Sequence, residues 1–254
     1  MDRHFVLQEE YIKSNTTGKL IEFLLQQYSS QMLDTWTISN QVPTTRTFKS
    51  DKGYIIKVIP VGYLEFIRES LLALDLQEKE LMKPIEIPDI LNKYLNRMYI
   101  PHIKGKELLK NSEYTNSKKY FVKNIDKLKS FNSILQLGDI GRFIEPESNY
   151  SVSEKIEIES EYRILVCKDE IIDIGFYNGN CLIFPDKDTI ENMIDDYSKV
   201  NHPKGYTLDI AVSKDRGTVP IEIHPFVSCG IYTMCEDPRI IDMLEYGYDW
   251  YLGN

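Results

Sequence analysis

Two carboxylates set in otherwise apolar runs are the first residues able to do chemistry. Asp209 lies in Leu208-Asp209-Ile210-Ala211-Val212, and Glu222 lies in Val219-Pro220-Ile221-Glu222-Ile223-His224. An unpaired carboxylate is expensive to bury, so each needs a partner. The turn-forming segment Lys214-Asp215-Arg216-Gly217 between the two runs predicts a hairpin. Side chains alternate faces along a strand, which puts Glu222 and His224 on one side. Pairing centred on the turn brings Asp209 to face them. Three such groups on one face suit a hard cation such as Mg²⁺ that also holds a phosphate oxygen. A solvent-facing polar edge with cross-strand pairs accounts for the same spacing.

Two cationic segments could complement these acids. Lys123 ends the aromatic and β-branched run Tyr120-Phe121-Val122, and Lys129 follows six positions later. A lysine at a strand end offers a compact, movable charge to a phosphate, although most lysines are solvated surface. Arg163 sits in Glu161-Tyr162-Arg163-Ile164-Leu165-Val166, an apolar strand in which its guanidinium must find an anion. A bidentate phosphate contact and a structural salt bridge both satisfy that need.

The surrounding charge narrows the partner class. Of the 254 residues, 30 are Lys or Arg and 39 are Asp or Glu, for a net charge of -9. Between His102 and Lys129 eight lysines face three acids, a basic island in an acidic chain. That balance disfavours a nucleic acid or an anionic membrane surface as partner. No Gly-x-x-x-x-Gly-Lys loop or Gly-x-Gly-x-x-Gly fingerprint occurs. There is also no convincing Ser/His/Asp or Cys/His arrangement for covalent catalysis. Cys167, Cys181, Cys229 and Cys235 form no C-x-x-C pair and read as reduced thiols of a cytoplasmic protein. The chain begins without a signal peptide's apolar run, and no stretch has the length of a membrane span.

The elements that must position these groups change character along the chain. Phe5–Gln8 reads as a strand, a helix follows from Thr17, Tyr54–Gly62 is a strand stopping at Pro and Gly, and Leu64–Leu76 is helical. This βαβα rhythm predicts a small α/β lobe. A Pro-punctuated connector, Lys83–Pro88, leads to a helix at Ile90–Arg97. Beyond residue 100, strands are expected at Tyr120–Lys123, Ser151–Ile158, Tyr162–Cys167, Ile171–Tyr177, Tyr206–Val212 and Val219–His224, with a helix at Thr189–Ser198. The second part is therefore α+β and mainly antiparallel.

In chain order these residues resemble the ATP-grasp superfamily, in particular a bacterial and phage branch with paired lysines and a characteristic arginine. The likeness is carried by Ile59-Pro60-Val61-Gly62, Phe121-Val122-Lys123 with Lys129-Ser130-Phe131, Ser160-Glu161-Tyr162-Arg163, Tyr206-Thr207-Leu208-Asp209, and the run from Ile221 to Tyr232. The resemblance implies an ATP-grasp fold, two α+β subdomains clasping a nucleotide, behind a small α/β lobe. It divides the chain into that lobe at 1–100 and an ATP-grasp domain at 101–254, with subdomains 101–158 and 159–254. Lys123 would contact the α- and β-phosphates of ATP, Lys129 would lie near them, and Arg163 would meet the terminal phosphates. Lys123 and Arg163 would thereby be the catalytic pair. Glu154 and Ile156 would form the adenine hinge, with Glu157 a possible ribose contact. Asp209 and Glu222 would hold Mg²⁺, Glu222 bridging two ions, and His224 stands where the superfamily usually places a metal-binding Asn. Asn124 replaces a common Pro, and the segment 132–138 is poor in Gly for a phosphate-covering loop.

The implied activity is an ATP- and Mg²⁺-dependent carboxylate–amine ligase that works through an acyl phosphate. Its carboxylate and amine partners, small molecules or peptides, are not legible in the sequence. An ATP-binding regulatory or host-interaction module and a metal-dependent phosphohydrolase are the alternatives.

Overall fold

The computed structural model describes residues 2–74, 85–110, 119–126, 132–136 and 143–253. They build three four-stranded sheets, consecutive along the chain.

The first sheet carries β1 (Asp2–Leu7), β2 (Thr35–Ile38), β3 (Thr47–Lys49) and β4 (Ile55–Val61), in the order β2-β1-β4-β3. β1 runs parallel to β2 and β4, and β3 is antiparallel to β4. The expected α/β rhythm is present, with a crossover from β1 to β2 made by α1 (Glu9–Ser14) and α2 (Thr16–Met32). Asn15 starts α2 by accepting from the Thr17 and Gly18 amides, and Ile21, Leu24 and Leu25 form its buried stripe. α3 (Leu64–Leu72) follows β4. β2 and β3 escaped the sequence reading because they are short and largely exposed, without an apolar run.

The connector enters a tight helical turn at Asp89–Leu91 and then α4 (Asn92–Leu95). The helix expected to run through Arg97 stops at Leu95, because Asn96 turns left-handed at φ 48° and its side chain donates to the Arg216 carbonyl. The second sheet comprises β5 (Tyr99–Lys104), β6 (Lys119–Asn124), β7 (Asn132–Gln136) and β8 (Asn149–Glu154), antiparallel in the order β5-β8-β6-β7, with α5 (Gly105–Lys110) between β5 and β6. Tyr120, Val122, Tyr150 and Val152 point into its core. Alternation then sends Phe121, Lys123, Ser151 and Ser153 to the opposite face.

The strand expected at Ser151–Ile158 is broken. β8 ends at Glu154 and β9 begins at Ile158, so residues 155–157 carry the chain from one sheet to the next. The Lys155 amide still donates to Lys119 O of the second sheet.

β9 (Ile158–Cys167), β10 (Glu170–Gly179), β11 (Gly205–Ser213) and β12 (Gly217–Pro225) form the third sheet, all antiparallel, in the order β10-β9-β11-β12. One face, with Tyr162, Ile164, Val166, Tyr206, Leu208 and Ile210, packs on α6 (Lys187–Tyr197) and the connector. On the other face Leu165 and Cys167 join a core shared with the first sheet.

That shared core includes the C-terminal helix α7 (Arg239–Leu252), whose Ile240, Ile241, Met243, Leu244 and Tyr248 are buried with Phe5, Leu7 and Ile59. Gly247 lets α7 approach closely, since a β-carbon there would stand 2.5 Å from the Phe226 carbonyl oxygen. Arg3 and Lys57 fasten the helix by pairing with Asp242, Glu245 and Asp249. Among the described residues no helix is long and apolar enough to cross a membrane.

Candidate active site

A cleft of about 530 Å³ opens between the second and third sheets. Lys123, Ser151 and Ser153 line one wall, and Asp209, Ile221 and Glu222 line the other. The segment from Glu154 to Glu157 also lines it, so Glu154 and Ile156 border the same space as the acids.

The acidic wall is a row across three strands. Arg163 on β9 stands opposite Asp209 on β11, which stands opposite Glu222 on β12. Directly paired residues share a face, so all three side chains point to the cleft side. His224, two residues beyond Glu222, faces the same way. The hairpin expected from the Lys214–Gly217 turn therefore forms with Asp209 against Glu222. A bulge aids it: Ile210 faces Pro220, which leaves Ile221 as the extra residue beside Glu222. Bulges of this kind re-aim side chains next to functional sites.

Each acid meets protein cations. Arg163 donates from Nε to Asp209 Oδ1 and from Nη2 to Oδ2, both at 2.7 Å. Its third contact goes from Nη1 to Gly230 O at 3.0 Å, and its guanidinium lies 5.0 Å from the Tyr232 ring centroid. The side chains of Arg163 and Asp209 are 11% and 4% exposed, so this is a buried, bidentate pair rather than a solvent-facing edge. Burial would lower the Arg163 pKa, and the hydrogen bonds and charge of Asp209 more than reverse that, holding it above its ordinary value. Tyr177, beside this pair, is pushed well up by burial and by the charges of Asp209 and Glu161.

Glu222 is engaged twice. Lys123 Nζ donates to Oε1 from the opposite wall, and His224 Nε2 lies 2.8 Å from Oε2. Burial raises the Glu222 pKa, but the hydrogen bonds and charges of His224 and Lys123 outweigh it and bring it from 4.5 to about 2. Lys123 is only 15% exposed, unlike a solvated surface lysine.

The fold thus brings Lys123, Arg163, Asp209, Glu222 and His224 together, and Glu154 and Ile156 line the same cleft. Lys129 lies outside the described residues. Among the described residues no three His, Cys, Asp or Glu side chains converge on one metal position, because Asp209 is turned to Arg163 and Glu222 to Lys123 and His224. Arg97 also lines the cleft and binds Ser153 and Pro220 O, 56 and 123 positions away in the chain. No local pattern marks such a residue.

The family model of the ATP-grasp domain, R-2K clade family 2, matches residues 103–243. The chain belongs to this ATP-grasp clade. As an ATP-grasp protein it has its cleft between two α+β units, and the matched segment holds both walls. Solved structures show the same fold at low identity. D-alanyl-alanine synthetase A from Vibrio cholerae superposes with a TM-score of 0.53 at 11% identity, over 99% of this chain and 96% of that one. A RimK domain ATP-grasp protein from Sphaerobacter thermophilus gives 0.57 at 11% identity, over 99% and 100%. The macrocyclase MdnC from Microcystis aeruginosa, bound with precursor peptide MdnA, gives 0.51 at 12% identity, over 97% and 98%. No curated protein matches this ATP-grasp chain by sequence.

Proposed function

We propose that this ATP-grasp protein is an ATP- and Mg²⁺-dependent ligase that joins a carboxylate to an amine through an acyl phosphate. The observation that carries the reading is the row Arg163–Asp209–Glu222 with Lys123 opposite it across the cleft. Phosphoryl transfer requires charge neutralisation and positioning more than a covalent nucleophile, and these residues are suited to that. The similar structure named as a D-alanyl-alanine synthetase supports the same class of bond, and the one named as a macrocyclase supports peptides as a class of substrate.

In this reading the adenine lies at the Glu154–Ile156 turn and the triphosphate runs toward Lys123 and Arg163. Lys129, from the same basic segment, serves the phosphates as well. Asp209 and Glu222 supply the carboxylate oxygens that a hard cation takes, and His224 completes the group by holding Glu222 through Nε2. Asp209 and Glu222 would hold Mg²⁺ there, and the ion would supply positive charge against the phosphoryl oxygens. Lys123 and Arg163 bind and orient the terminal phosphates. A substrate carboxylate oxygen attacks the γ-phosphorus, and ADP leaves with the electron pair of the broken bond. The amine then attacks the acyl carbon, loses a proton, and displaces inorganic phosphate.

The proposed division of labour assigns acceptor selection to residues 1–100, base and phosphate binding to 101–158, and the metal and transferred phosphoryl group to 159–254. A cytoplasmic setting with free ATP suits this activity, and neither a nucleic acid nor a membrane is required. The test is ADP release in the presence of candidate carboxylates and amines, including peptides. Release that requires both substrates and is lost in Lys123→Ala supports ligation. Mg²⁺-dependent ATP binding without any release supports an ATP-binding regulatory module. Phosphodiester hydrolysis that persists without ATP supports a metal-dependent phosphohydrolase. No ATP binding at all overturns the reading.

A further inference from the structure

Arg97 lies outside the family-matched segment, yet it joins the two walls of the cleft. Its Nε donates to Ser153 Oγ of β8 at 2.8 Å, and its Nη2 donates to Pro220 O of β12 at 2.8 Å. Nη1 reaches back to Leu95 O at 3.2 Å, which steadies the guanidinium against its own segment. Pro220 is the residue at the bulge from which Ile221 and Glu222 project. A planar fork with donors in fixed directions can span two sheets in this way, and a lysine cannot reproduce it.

A second connection runs beside the first. Asn96 and Arg216 exchange hydrogen bonds between α4 and the β11–β12 turn, and Arg216 Nη2 stands 3.7 Å from Glu154 Oε2. Asn96 and Arg97 therefore bind the third sheet at two points, its hairpin turn and its bulge. Arg97 binds the wall of the second sheet as well.

The chemistry of these contacts is unusual for a half-buried cation. All three described acceptors of Arg97 are neutral oxygens, and among the described residues no carboxylate pairs with it. Burial, with a further push from Arg216, takes its pKa down to about 10 despite the opposing influence of Tyr99. A neutral side chain would fill this space at lower electrostatic cost, so the guanidinium's value lies in its directed donors.

We propose that Arg97 is a positioning residue that holds Glu222 at its place in the cleft by anchoring the Pro220 carbonyl to the wall that carries Lys123. Its functional consequence rests on the ligase reading, but its geometry does not. Without the anchor the bulge loosens, and Glu222 no longer meets the metal and phosphates at a set distance from Lys123. Ser153 loses its Arg97 partner too, but it stays within the β8 ladder, so the Glu154–Ile156 segment proposed to hold the adenine changes less than the bulge.

The experiment uses the full chain with Arg97→Met and Arg97→Lys. In protein without nucleotide, amide exchange at Ile221 and Glu222 accelerates about tenfold in Arg97→Met, the scale of one lost hydrogen bond, while Ile164 and Val166 keep their rates. Wild-type exchange at the bulge overturns the proposal. Should Arg97→Met fail to fold, Arg97→Lys, which can keep one cross-sheet bond, gives the same acceleration at smaller size. In ATP titrations the Mg²⁺ concentration needed for half-maximal binding rises about tenfold in Arg97→Met, well beyond any change in adenosine affinity. Equal weakening of ATP at every Mg²⁺ concentration indicates direct nucleotide contact and overturns the positioning role. Because the exchange measurement needs no nucleotide, wild-type protein that binds no ATP defeats the ligase reading and leaves the exchange rates to decide on Arg97.

Discussion

Lys123 and Glu222 stand on different sheets, 99 positions apart in the chain, and form an ion pair across the cleft. The contact links the group proposed to hold phosphate to the group proposed to hold metal. With His224 on its other oxygen and Asp209 held on both oxygens by Arg163, each acid of the row is already charge-compensated. Under the proposed function, metal binding at these acids requires the cations to change partners, with the triphosphate drawing Lys123 and Arg163 away.

Mg²⁺, or Mn²⁺ as its spectroscopic substitute, should accordingly bind weakly alone and at least about tenfold more tightly with ATP or ADP present. Lys123→Gln frees one Glu222 oxygen and should narrow that difference by improving binding of the metal alone. Electron paramagnetic resonance of free and bound Mn²⁺ reads both quantities. Equal Mn²⁺ affinity with and without nucleotide in wild-type protein would show that the carboxylates need no release.

Arg163→Lys keeps a positive charge but loses the fork that holds both Asp209 oxygens. Nucleotide turnover should fall by on the order of a hundredfold, as for loss of a directed donor in a charge-stabilising site. Asp209→Ala is the harsher change, because it leaves Arg163 buried without an anion and should cost about 3 kcal/mol or more of stability. Steady-state kinetics on the first variant and thermal unfolding on the second check these outcomes.

Acid should expose the depressed carboxyl of Glu222. Its pKa falls from 4.5 to about 2 on folding, so its ionised form contributes stability that is complete above pH 4.5 and lost as the pH drops through about 2. Glu222→Gln cannot make this contribution at any pH. The difference in unfolding free energy between wild type and Glu222→Gln should therefore shrink as the pH falls from 4.5 to about 2, measured by denaturant titration. A difference independent of pH across that range would contradict the assignment.

The junction between α7 and the first sheet should matter for stability in proportion to its burial. Arg3 donates from Nε and Nη2 to both oxygens of Asp34, whose side chain is almost fully buried, and also pairs with Asp242 and Glu245. Arg3→Ala strands Asp34 and should cost about 3–5 kcal/mol, lowering the melting temperature by roughly 10 °C in a chain of this size. Lys13→Ala breaks an exposed pair with Glu9 and should change it by about 1 °C or less. Differential scanning calorimetry of the two variants separates the cases.

Local patterning made much of this molecule legible. Strand alternation placed Glu222 beside His224, and the Lys214–Gly217 turn marked the hairpin that brings Asp209 to them, because period and turn are properties of neighbouring residues; the bulge at Ile221 then sets Asp209 opposite Glu222. The α/β character of the first lobe, the antiparallel remainder and the strand that carries Lys123 followed from β-branched runs and their breakers. The short exposed strands β2 and β3 carried no such pattern, and the break at residues 155–157 lay inside a run that reads as continuous. Tertiary structure alone decided which charges meet: Lys123 with Glu222, Arg163 with Asp209, and Arg97 with the Pro220 carbonyl. An ion pair or hydrogen bond is set by the distance between side chains. For residues tens of positions apart, that distance is fixed by how the sheets pack and by where a bulge falls. The amino-acid order therefore determined the groups available for chemistry and the strand faces that carry them, and the packing of the second sheet against the third turned them into one site.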